Sequence, residues 1–146
     1  MIHQVKVLIV DDNVNVRITL GNVLSDFDCV VTEVENGEDA FEKICEEYFH
    51  VVFFDNKLPQ ADGIEIIRQV RELDKAVGKL FLLTGYPEED TKVEAEKLDV
   101  FHFLNKKDMK LIEIRTKFKE AVDELRSETS SKEHTTRNKD RERAPE

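Results

Sequence analysis

The chain has 146 residues, 40% of them hydrophobic and 37% charged, and it carries a formal net charge of −10. This length suits one domain with a single packed core, and no apolar run approaches the ~18–20 residues that a membrane-spanning helix needs. Two cysteines are too few to cross-link a domain of this size, which favours a reducing, cytoplasmic location. The composition therefore predicts one domain without a membrane segment.

The negative charge is unevenly distributed along the chain. Residues 127–146 contain equal numbers of acidic and basic residues, so residues 1–126 carry the entire excess of acid. Binding of DNA or RNA depends on clustered lysine and arginine, and an acidic body therefore disfavours a nucleic-acid partner. Cations, or a protein with a basic surface, are better matched to it.

Five short apolar runs alternate with five segments of helical periodicity. We predict strands at 5–10, 30–34, 51–54, 80–83 and 101–104. The first helix is predicted from an apolar stripe of Val16, Leu20, Val23, Leu24 and Phe27, and the others at 37–48, 63–73, 87–98 and 108–126. In the last helix the stripe comprises Leu111, Ile114, Phe118, Val122 and Leu125. This strict alternation favours the α/β class, as a doubly wound (βα)5 fold with a five-stranded parallel sheet covered by helices on both faces.

The helical pattern stops after residue 126. Residues 127–146 contain one hydrophobic residue, Ala144, among polar and charged side chains. Such a segment buries too little apolar surface to offset the entropy lost on ordering. We therefore predict a folded domain over 1–126 and a disordered polar tail over 127–146, with a partner-binding tail as the alternative.

Polar side chains follow four of the five predicted strands. They are Asp11 and Asp12 after the first strand, Asp55 after the third, Thr84 after the fourth and Lys106 after the fifth. In an open parallel sheet the carboxyl ends of the strands lie along one edge, where ligands bind. The sequence therefore predicts that three carboxylates, a hydroxyl and an amine meet at that edge.

This set of side chains has the composition of a phosphoryl-transfer site. Neighbouring carboxylates repel one another unless a cation binds, and Mg²⁺ prefers oxygen ligands. A carboxylate can act as a nucleophile and form an aspartyl-phosphate, while a metal ion, an ammonium and a hydroxyl neutralise the charge on the transferred group. Taken singly, the aspartates could cap a helix, and Thr84 and Lys106 could be ordinary turn and surface residues. Their joint position at strand ends favours the functional interpretation.

Four motifs, in order along the chain, resemble those of the response-regulator receiver domain. They are VLIVDDN at 7–13 with Arg17 downstream, VVFFDNKLP at 51–59 followed by Asp62 and Gly63, LLTGY at 82–86 and FLNK at 103–106. The resemblance covers roughly residues 4–126. It implies the flavodoxin-like strand order 2-1-3-4-5.

The resemblance also implies an acceptor and its metal ligands. Asp55 would accept a phosphoryl group from the phosphohistidine of a partner, either a histidine kinase or a histidine phosphotransfer protein. Mg²⁺ would be bound by Asp11, Asp12 and Asp55, with the backbone carbonyl of Lys57 as a further ligand.

Three more residues would respond to the phosphoryl group in such a family member. Thr84 would hydrogen-bond its oxygens, Lys106 would pair with another of them, and Phe103 would be the aromatic whose rotamer follows Thr84. The family has a proline after the lysine, often in a cis peptide, where this chain has Lys107. A cis bond before a residue other than proline costs ~3 kcal/mol more than trans, so we expect a trans peptide and a differently shaped loop. Lys107 as the functional amine is the alternative.

Two positions in the family flank the acyl phosphate and tune its hydrolysis. Here they hold Lys57, two residues after Asp55, and Tyr86, two residues after Thr84. A long cation and a bulky phenol there predict slow loss of phosphate, and the same pair resembles stand-alone phosphorelay intermediates. The alternative is that both side chains merely face solvent.

Two apolar residues lie off the core stripe of the first helix, next to the acidic edge. Val14 and Ile18 are one helical turn apart, so they form a small apolar surface that could dock a helix of the histidine-bearing partner. The alternative is scattered surface apolarity.

The predicted function is a two-component signalling receiver rather than an enzyme. Phosphorylation would change the face around the fourth helix, the fifth strand and the fifth helix, which an effector protein would read, and the chain would be a monomer or weak dimer. Alternatives are a phosphorelay intermediate, the receiver part of a longer regulator, and a haloacid-dehalogenase-type phosphatase. That phosphatase needs an Asp-x-Asp motif where this chain has Asp11-Asp12-Asn13. A flavodoxin-like FMN carrier needs a Ser/Thr/Gly-rich loop where it has Asn13-Val14-Asn15.

Overall fold

One parallel sheet organises the protein, in a computed structural model that describes residues 4–85, 88–108 and 110–143, with side chains as far as Glu128. The strands are Val5–Val10 (β1), Cys29–Val34 (β2), Val51–Asp55 (β3), Lys79–Thr84 (β4) and His102–Asn105 (β5). The helices are Val14–Leu24 (α1), Gly37–Glu46 (α2), Gly63–Glu72 (α3), Glu89–Lys97 (α4) and Leu111–Arg143 (α5). All neighbouring strands are parallel, in the order β2-β1-β3-β4-β5. The predicted α/β class and strand order are confirmed, and each strand lies within one residue of its predicted bounds.

The central strands are apolar along most of their length because both faces of the sheet are covered. In β1, Val7 and Ile9 pack in the core formed with α1 and α5, whereas Leu8 and Val10 pack in the core formed with α2, α3 and α4. Successive side chains of a strand point to opposite faces, so an uninterrupted apolar run is what a doubly covered strand requires. The predicted helices on both faces are confirmed.

Helix α5 packs along most of the predicted stripe, with one correction at its start. Ile114, Phe118, Val122 and Leu125 are buried against the sheet, but Leu111 is 58% exposed. Leu111 is the first residue of the helix, one turn before the first core contact, and it lines a groove between α1 and α5. Helical periodicity gives the angle of a side chain around its helix axis. Burial also requires a neighbouring element at the same position along that axis.

The last helix continues past its predicted end near residue 126 and reaches Arg143. Lys79 Nζ lies 3.0 Å from a carboxylate oxygen of Glu124 and 3.0 Å from one of Glu128, so ion pairs join this part of α5 to β4. The domain boundary at 126 and the disorder of 127–146 stay predictions. Residues 144–146 lie outside the described residues.

The structure also shows the state of the two cysteines and the character of the helices. Cys29 and Cys45 are both free and half-buried. In the described part of the chain, no helix combines the length and the apolar character required to cross a membrane.

The pairing of β1 with the start of β3 depends on a neutral histidine. The backbone N–H of Lys6 donates to His50 Nδ1 at 2.8 Å, and the backbone N–H of His50 donates to the Lys6 carbonyl at 2.8 Å. Burial and the nearby Lys6 charge lower the pKa of His50 below its ordinary 6.5. A protonated Nδ1 cannot accept the Lys6 hydrogen bond.

We therefore expect His50 to make the protein sensitive to acid. Below about pH 6.5 the unfolded chain binds more protons at His50 than the folded chain does, so stability falls as the pH falls. The His50→Asn variant, whose Oδ1 can accept the same bond without titrating, should lose less unfolding free energy than the parent between pH 7 and pH 5.5. Urea titrations at several pH values measure this difference. An equal loss in both proteins would contradict it.

Candidate functional site

Three carboxylates meet at the carboxyl edge of the sheet. Asp11 directly follows β1 and Asp55 ends β3, and these strands are paired with Val10 opposite Phe54. One oxygen atom from each of Asp11, Asp12 and Asp55 lies within 4.8 Å of the other two. Asp11 is 2% exposed and Asp55 3% exposed, whereas Asp12 faces solvent. Parallel pairing thus brings together residues that are more than 40 positions apart in sequence.

The loop between β1 and α1 holds Asp11 in place. Asn13 is the N-cap of α1, because its Oδ1 accepts hydrogen bonds from the first-turn amides of Asn15 and Val16. The Asn13 N–H in turn donates to Asp11 Oδ1 at 2.9 Å. The guanidinium of Arg17 donates to the Asp11 carbonyl at 2.7 Å and pairs with Glu35 at 3.3 Å. The motif residue Asn13 therefore orients the Asp11 carboxylate, and Arg17 holds the backbone at Asp11.

Lys106 supplies the positive charge of the site. Its Nζ lies 2.7 Å from Asp11 Oδ2 and 3.1 Å from Asp55 Oδ1. Burial alone would lower the pKa of Lys106, but hydrogen bonds and the charges of the two aspartates outweigh it and raise that pKa. The ammonium is therefore charged at neutral pH.

The loop that carries Lys106 has no cis peptide among the described residues, as the Lys107 substitution predicts. Lys107 is exposed, and its backbone N–H donates to Asn105 Oδ1 at 2.9 Å. The geometry therefore favours Lys106 over Lys107 as the amine of the site.

Asp55 is a carboxyl group with altered acidity. Burial and the neighbouring Asp11 charge raise its pKa from 3.8 to about 6, while Lys106 and the Lys57 N–H, which donates to Asp55 Oδ1 at 3.1 Å, act in the opposite direction. Asp55 is thus largely ionised at pH 7, the state in which a carboxylate can act as a nucleophile. Its charge is stabilised by the same lysine that pairs with Asp11.

Thr84 lies at the same edge of the sheet. It is the last residue of β4, is 1% exposed, and follows Leu83, which is the register partner of Asp55. The Thr84 carbonyl accepts the backbone N–H of Lys106 at 2.8 Å. This bond ties the start of the Lys106 loop to the end of β4.

The donor set fits a magnesium ion. Asp11 Oδ2 is buried and accepts no well-aligned hydrogen bond, its contact being the ion pair with Lys106. Three carboxylates with unused lone pairs suit a hard divalent cation. The backbone N–H of Lys57 donates to Asp55 Oδ1, so the residue expected to supply a carbonyl ligand lies beside the carboxylates.

Comparison with known proteins decides the family. The family model described as the response regulator receiver domain matches residues 7–119. The chain belongs to the response-regulator receiver family. It is therefore a receiver domain of two-component signalling, as its motifs predicted.

Relatives of this receiver domain differ in length. It is 34% identical to the transcriptional regulatory protein ResD of Bacillus subtilis over 92 residues, which cover 63% of this chain and 38% of ResD. It is 32% identical to the sporulation initiation phosphotransferase F of the same species over 99 residues, which cover 67% of this chain and 79% of that protein. A CheY-like receiver domain protein from Methanospirillum hungatei matches with a TM-score of 0.78 at 25% identity, covering 86% of this chain and 98% of that one.

The predicted switch aromatic Phe103 and the predicted tuning residue Lys57 lie within the described residues of the receiver domain. Phe103 is half-buried and lines a groove of about 370 Å³ between α4 and β5, with Lys92 Nζ 6.0 Å from its ring centre. The side chain of Lys57 is exposed. Tyr86 lies outside the described residues, so the tuning of hydrolysis by Lys57 and Tyr86 stays a prediction.

Sequence reasoning missed one buried polar residue of the receiver domain. Asn56 is 7% exposed and directly follows Asp55. It is a second polar residue directly after an apolar run, which is the signal that could have singled it out.

Proposed function

We propose that Asp55 accepts the phosphoryl group of a phosphohistidine. An Asp55 carboxylate oxygen attacks phosphorus, an O–P bond forms, the P–N bond breaks, and the partner's imidazole leaves. The observation that carries this proposal is a buried, ionisable carboxylate beside two others and 3.1 Å from an ammonium. Asp11 shares these surroundings, at 2.7 Å from Lys106, and the position of Asp55 in the motif at 51–59 of the receiver family supports Asp55 as the acceptor.

The remaining residues of the edge would orient and neutralise the group. We propose that Asp11, Asp12, Asp55 and the Lys57 carbonyl hold Mg²⁺, which would neutralise charge on the phosphoryl oxygens. Lys106, already within 3.1 Å of Asp55, would pair with another phosphoryl oxygen, and Thr84 would donate its hydroxyl. Each role rests on position at the sheet edge and on the chemistry of the side chain.

We propose that the protein acts through contacts with other proteins rather than by turnover of a substrate. Phosphorylation of Asp55 would shift an equilibrium between two conformations of the domain. The groove at Phe103 would differ between them, and an effector protein would bind one of the two forms. Hydrolysis of p-nitrophenyl phosphate would instead support a phosphatase. A cytoplasmic setting is consistent with the unpaired Cys29 and Cys45.

A phosphorelay intermediate is the second candidate. The chain spans most of phosphotransferase F but less than two fifths of ResD. In this role Asp55 would pass its phosphoryl group on to the histidine of another protein. Recovery of labelled phosphate on a histidine phosphotransfer protein would distinguish this role from direct output.

The histidine-bearing partner is proposed to dock on α1 and the start of α5. Val14 and Ile18 are 53% and 55% exposed, and Leu111 and Ile112 are 58% and 68% exposed. The two helices are neighbours on one face of the sheet and adjoin the edge that carries Asp11. An apolar helix of the partner would cover these side chains and present its histidine to Asp55.

The central assignment is tested by mass spectrometry after incubation with acetyl phosphate and Mg²⁺. The parent should gain the mass of one phosphoryl group, and Asp55→Ala should not. The Asp62→Ala variant, which changes an exposed aspartate of the same loop, is the matched control and should gain the mass. A gain that survives in Asp55→Ala would overturn the assignment.

We expect Ile18→Glu to slow phosphotransfer from a histidine kinase about tenfold, because it places a charge in an apolar contact. Phosphorylation by acetyl phosphate should be unchanged, since that reaction needs no docking. Leu73→Glu changes an equally exposed residue at the end of α3, on the opposite face of the sheet, and should leave both rates unchanged. Normal transfer from the kinase to Ile18→Glu would count against docking on α1.

A further inference from the structure

Asn56 makes three hydrogen bonds that close the loop between β3 and α3. Its backbone N–H donates to the Leu83 carbonyl at 2.8 Å, and its carbonyl accepts from Gly63 at 2.9 Å. Its side-chain Oδ1 accepts from the backbone N–H of Ile64 at 3.1 Å. One buried residue thus joins the end of β3, the neighbouring strand β4 and the first turn of α3.

The side chain of Asn56 replaces the usual helix cap. Asp62 occupies the N-cap position of α3, but its side chain makes no capping hydrogen bond. The backbone N–H of Ile64 lies in the first turn of α3, where N–H groups have no acceptor within the helix. Because this amide is buried, losing its acceptor would leave an unsatisfied donor. Asn56 therefore caps α3 from eight residues away in sequence.

The hydrogen bonds of Asn56 fix the position of the segment 57–62. Asn56 holds this loop at both ends, and Lys57 and Asp62 form an isolated bridge across it. Lys57 also donates its N–H to Asp55 Oδ1. Any displacement of the loop would therefore move Lys57, whose backbone carbonyl is proposed as a magnesium ligand.

We infer that Asn56 is a positioning residue: by capping α3 through Ile64, it holds the Lys57 peptide in place and thereby sets the affinity of the site for Mg²⁺. This inference rests on the proposed function. Asparagine suits the role because it provides an acceptor oxygen without adding a fourth carboxylate to the site. Groups that orient metal ligands typically contribute 10–100-fold to metal affinity.

The test compares Mg²⁺ binding by calorimetry, without a phosphodonor, in four proteins. The parent and Asn56→Asp, which keeps an acceptor oxygen, should bind Mg²⁺, the latter at least as tightly. Asn56→Ala should raise the dissociation constant about tenfold. Val70→Ala removes a buried side chain from the same helix and should leave the dissociation constant unchanged while lowering stability. Amide exchange should be slow at Ile64 in the parent and fast in Asn56→Ala.

The outcomes separate the inference from the proposed function. Unchanged affinity in Asn56→Ala, or an equal loss in Val70→Ala, would overturn the positioning role and leave the phosphoacceptor assignment intact. A parent protein that binds no Mg²⁺ would overturn both. Should Asn56→Ala fail to fold, the comparison of Asn56→Asp with the parent decides: a tenfold loss there, or fast exchange at Ile64 in the parent, would also overturn it.

Discussion

The Asp55→Asn variant should be more stable than the parent, by about 2–3 kcal/mol at pH 7 in the absence of Mg²⁺. Burial and the Asp11 charge raise the pKa of Asp55 from 3.8 to about 6. Folding at neutral pH therefore keeps a carboxylate ionised where its ionisation is disfavoured, and one pKa unit corresponds to about 1.4 kcal/mol. Asparagine keeps the shape and removes the charge. The functional acid is thus expected to reduce stability.

The pH dependence gives the sign of this effect. Between about pH 4 and pH 6 the folded chain binds more protons at Asp55 than the unfolded chain, so this residue's contribution to stability falls as the pH rises. The advantage of Asp55→Asn should shrink as the pH is lowered from 7 towards 4. Urea titrations at each pH measure it, with the exposed Asp62→Asn as the control of unchanged stability.

Addition of Mg²⁺ should reduce the difference in stability between Asp55→Asn and the parent, because it should stabilise the parent more. A ligand that binds only the folded state stabilises it in proportion to the logarithm of its concentration, and the parent has one more carboxylate to offer than Asp55→Asn. The melting temperature of the parent should rise with Mg²⁺ more than that of the variant. An Asp55→Asn protein that is less stable than the parent at pH 7 would contradict the explanation.

Gly63→Ala should both destabilise the protein, by about 3 kcal/mol, and impair phosphorylation. A Cβ at Gly63 would overlap the backbone carbonyl oxygen of Asp55 and crowd the backbone of Asn56. Neither neighbour is a flexible side-chain end, so the loop or the helix must shift, which is the situation in which overpacking is costly. The shift would move the backbone of Asp55, and with it the carboxylate proposed as the phosphoacceptor.

Gly21→Ala is the matched control for that substitution. Gly21 lies inside α1, and a Cβ there would meet no atom within 4 Å. Alanine is favoured over glycine in helices, so this variant should gain about 0.5–1 kcal/mol. Thermal melts and the rate of phosphorylation by acetyl phosphate measure both variants. Parental stability and rate in Gly63→Ala would show that the close approach at Asp55 is not required.

The positions of the site residues were predictable because they follow from the ends of strands. Asp11 follows the largely apolar strand β1, Asp55 and Thr84 are the last residues of β3 and β4, and parallel order brings these strand ends to one edge. The carboxylate cluster therefore required only the alternation of apolar runs and helices. The acceptor role and the metal ligands required the family motifs in addition.

Other features depended on contacts that no periodicity contains. The apolar stripe of the last helix correctly predicted that Phe118 and Val122 are buried, but it did not predict that Leu111 is exposed. A side chain on the inward face of a helix is buried only where another element packs against it. The continuation of α5 towards Arg143 is supported by Glu128, which pairs with Lys79, 49 residues away. A sequence pattern is local, whereas these contacts are not.

The amino-acid sequence by itself determined the class of fold, the strand order through its family motifs, and the set of polar residues at the sheet edge. Local hydrophobic period and strand ends suffice for these, because parallel strands place their carboxyl ends together whatever the details of packing. Only the tertiary structure decided that Lys106 bridges Asp11 and Asp55, that burial raises the pKa of Asp55, and that Asn56 caps α3. These depend on distances between side chains and on exclusion of water, which exist only once the chain is packed.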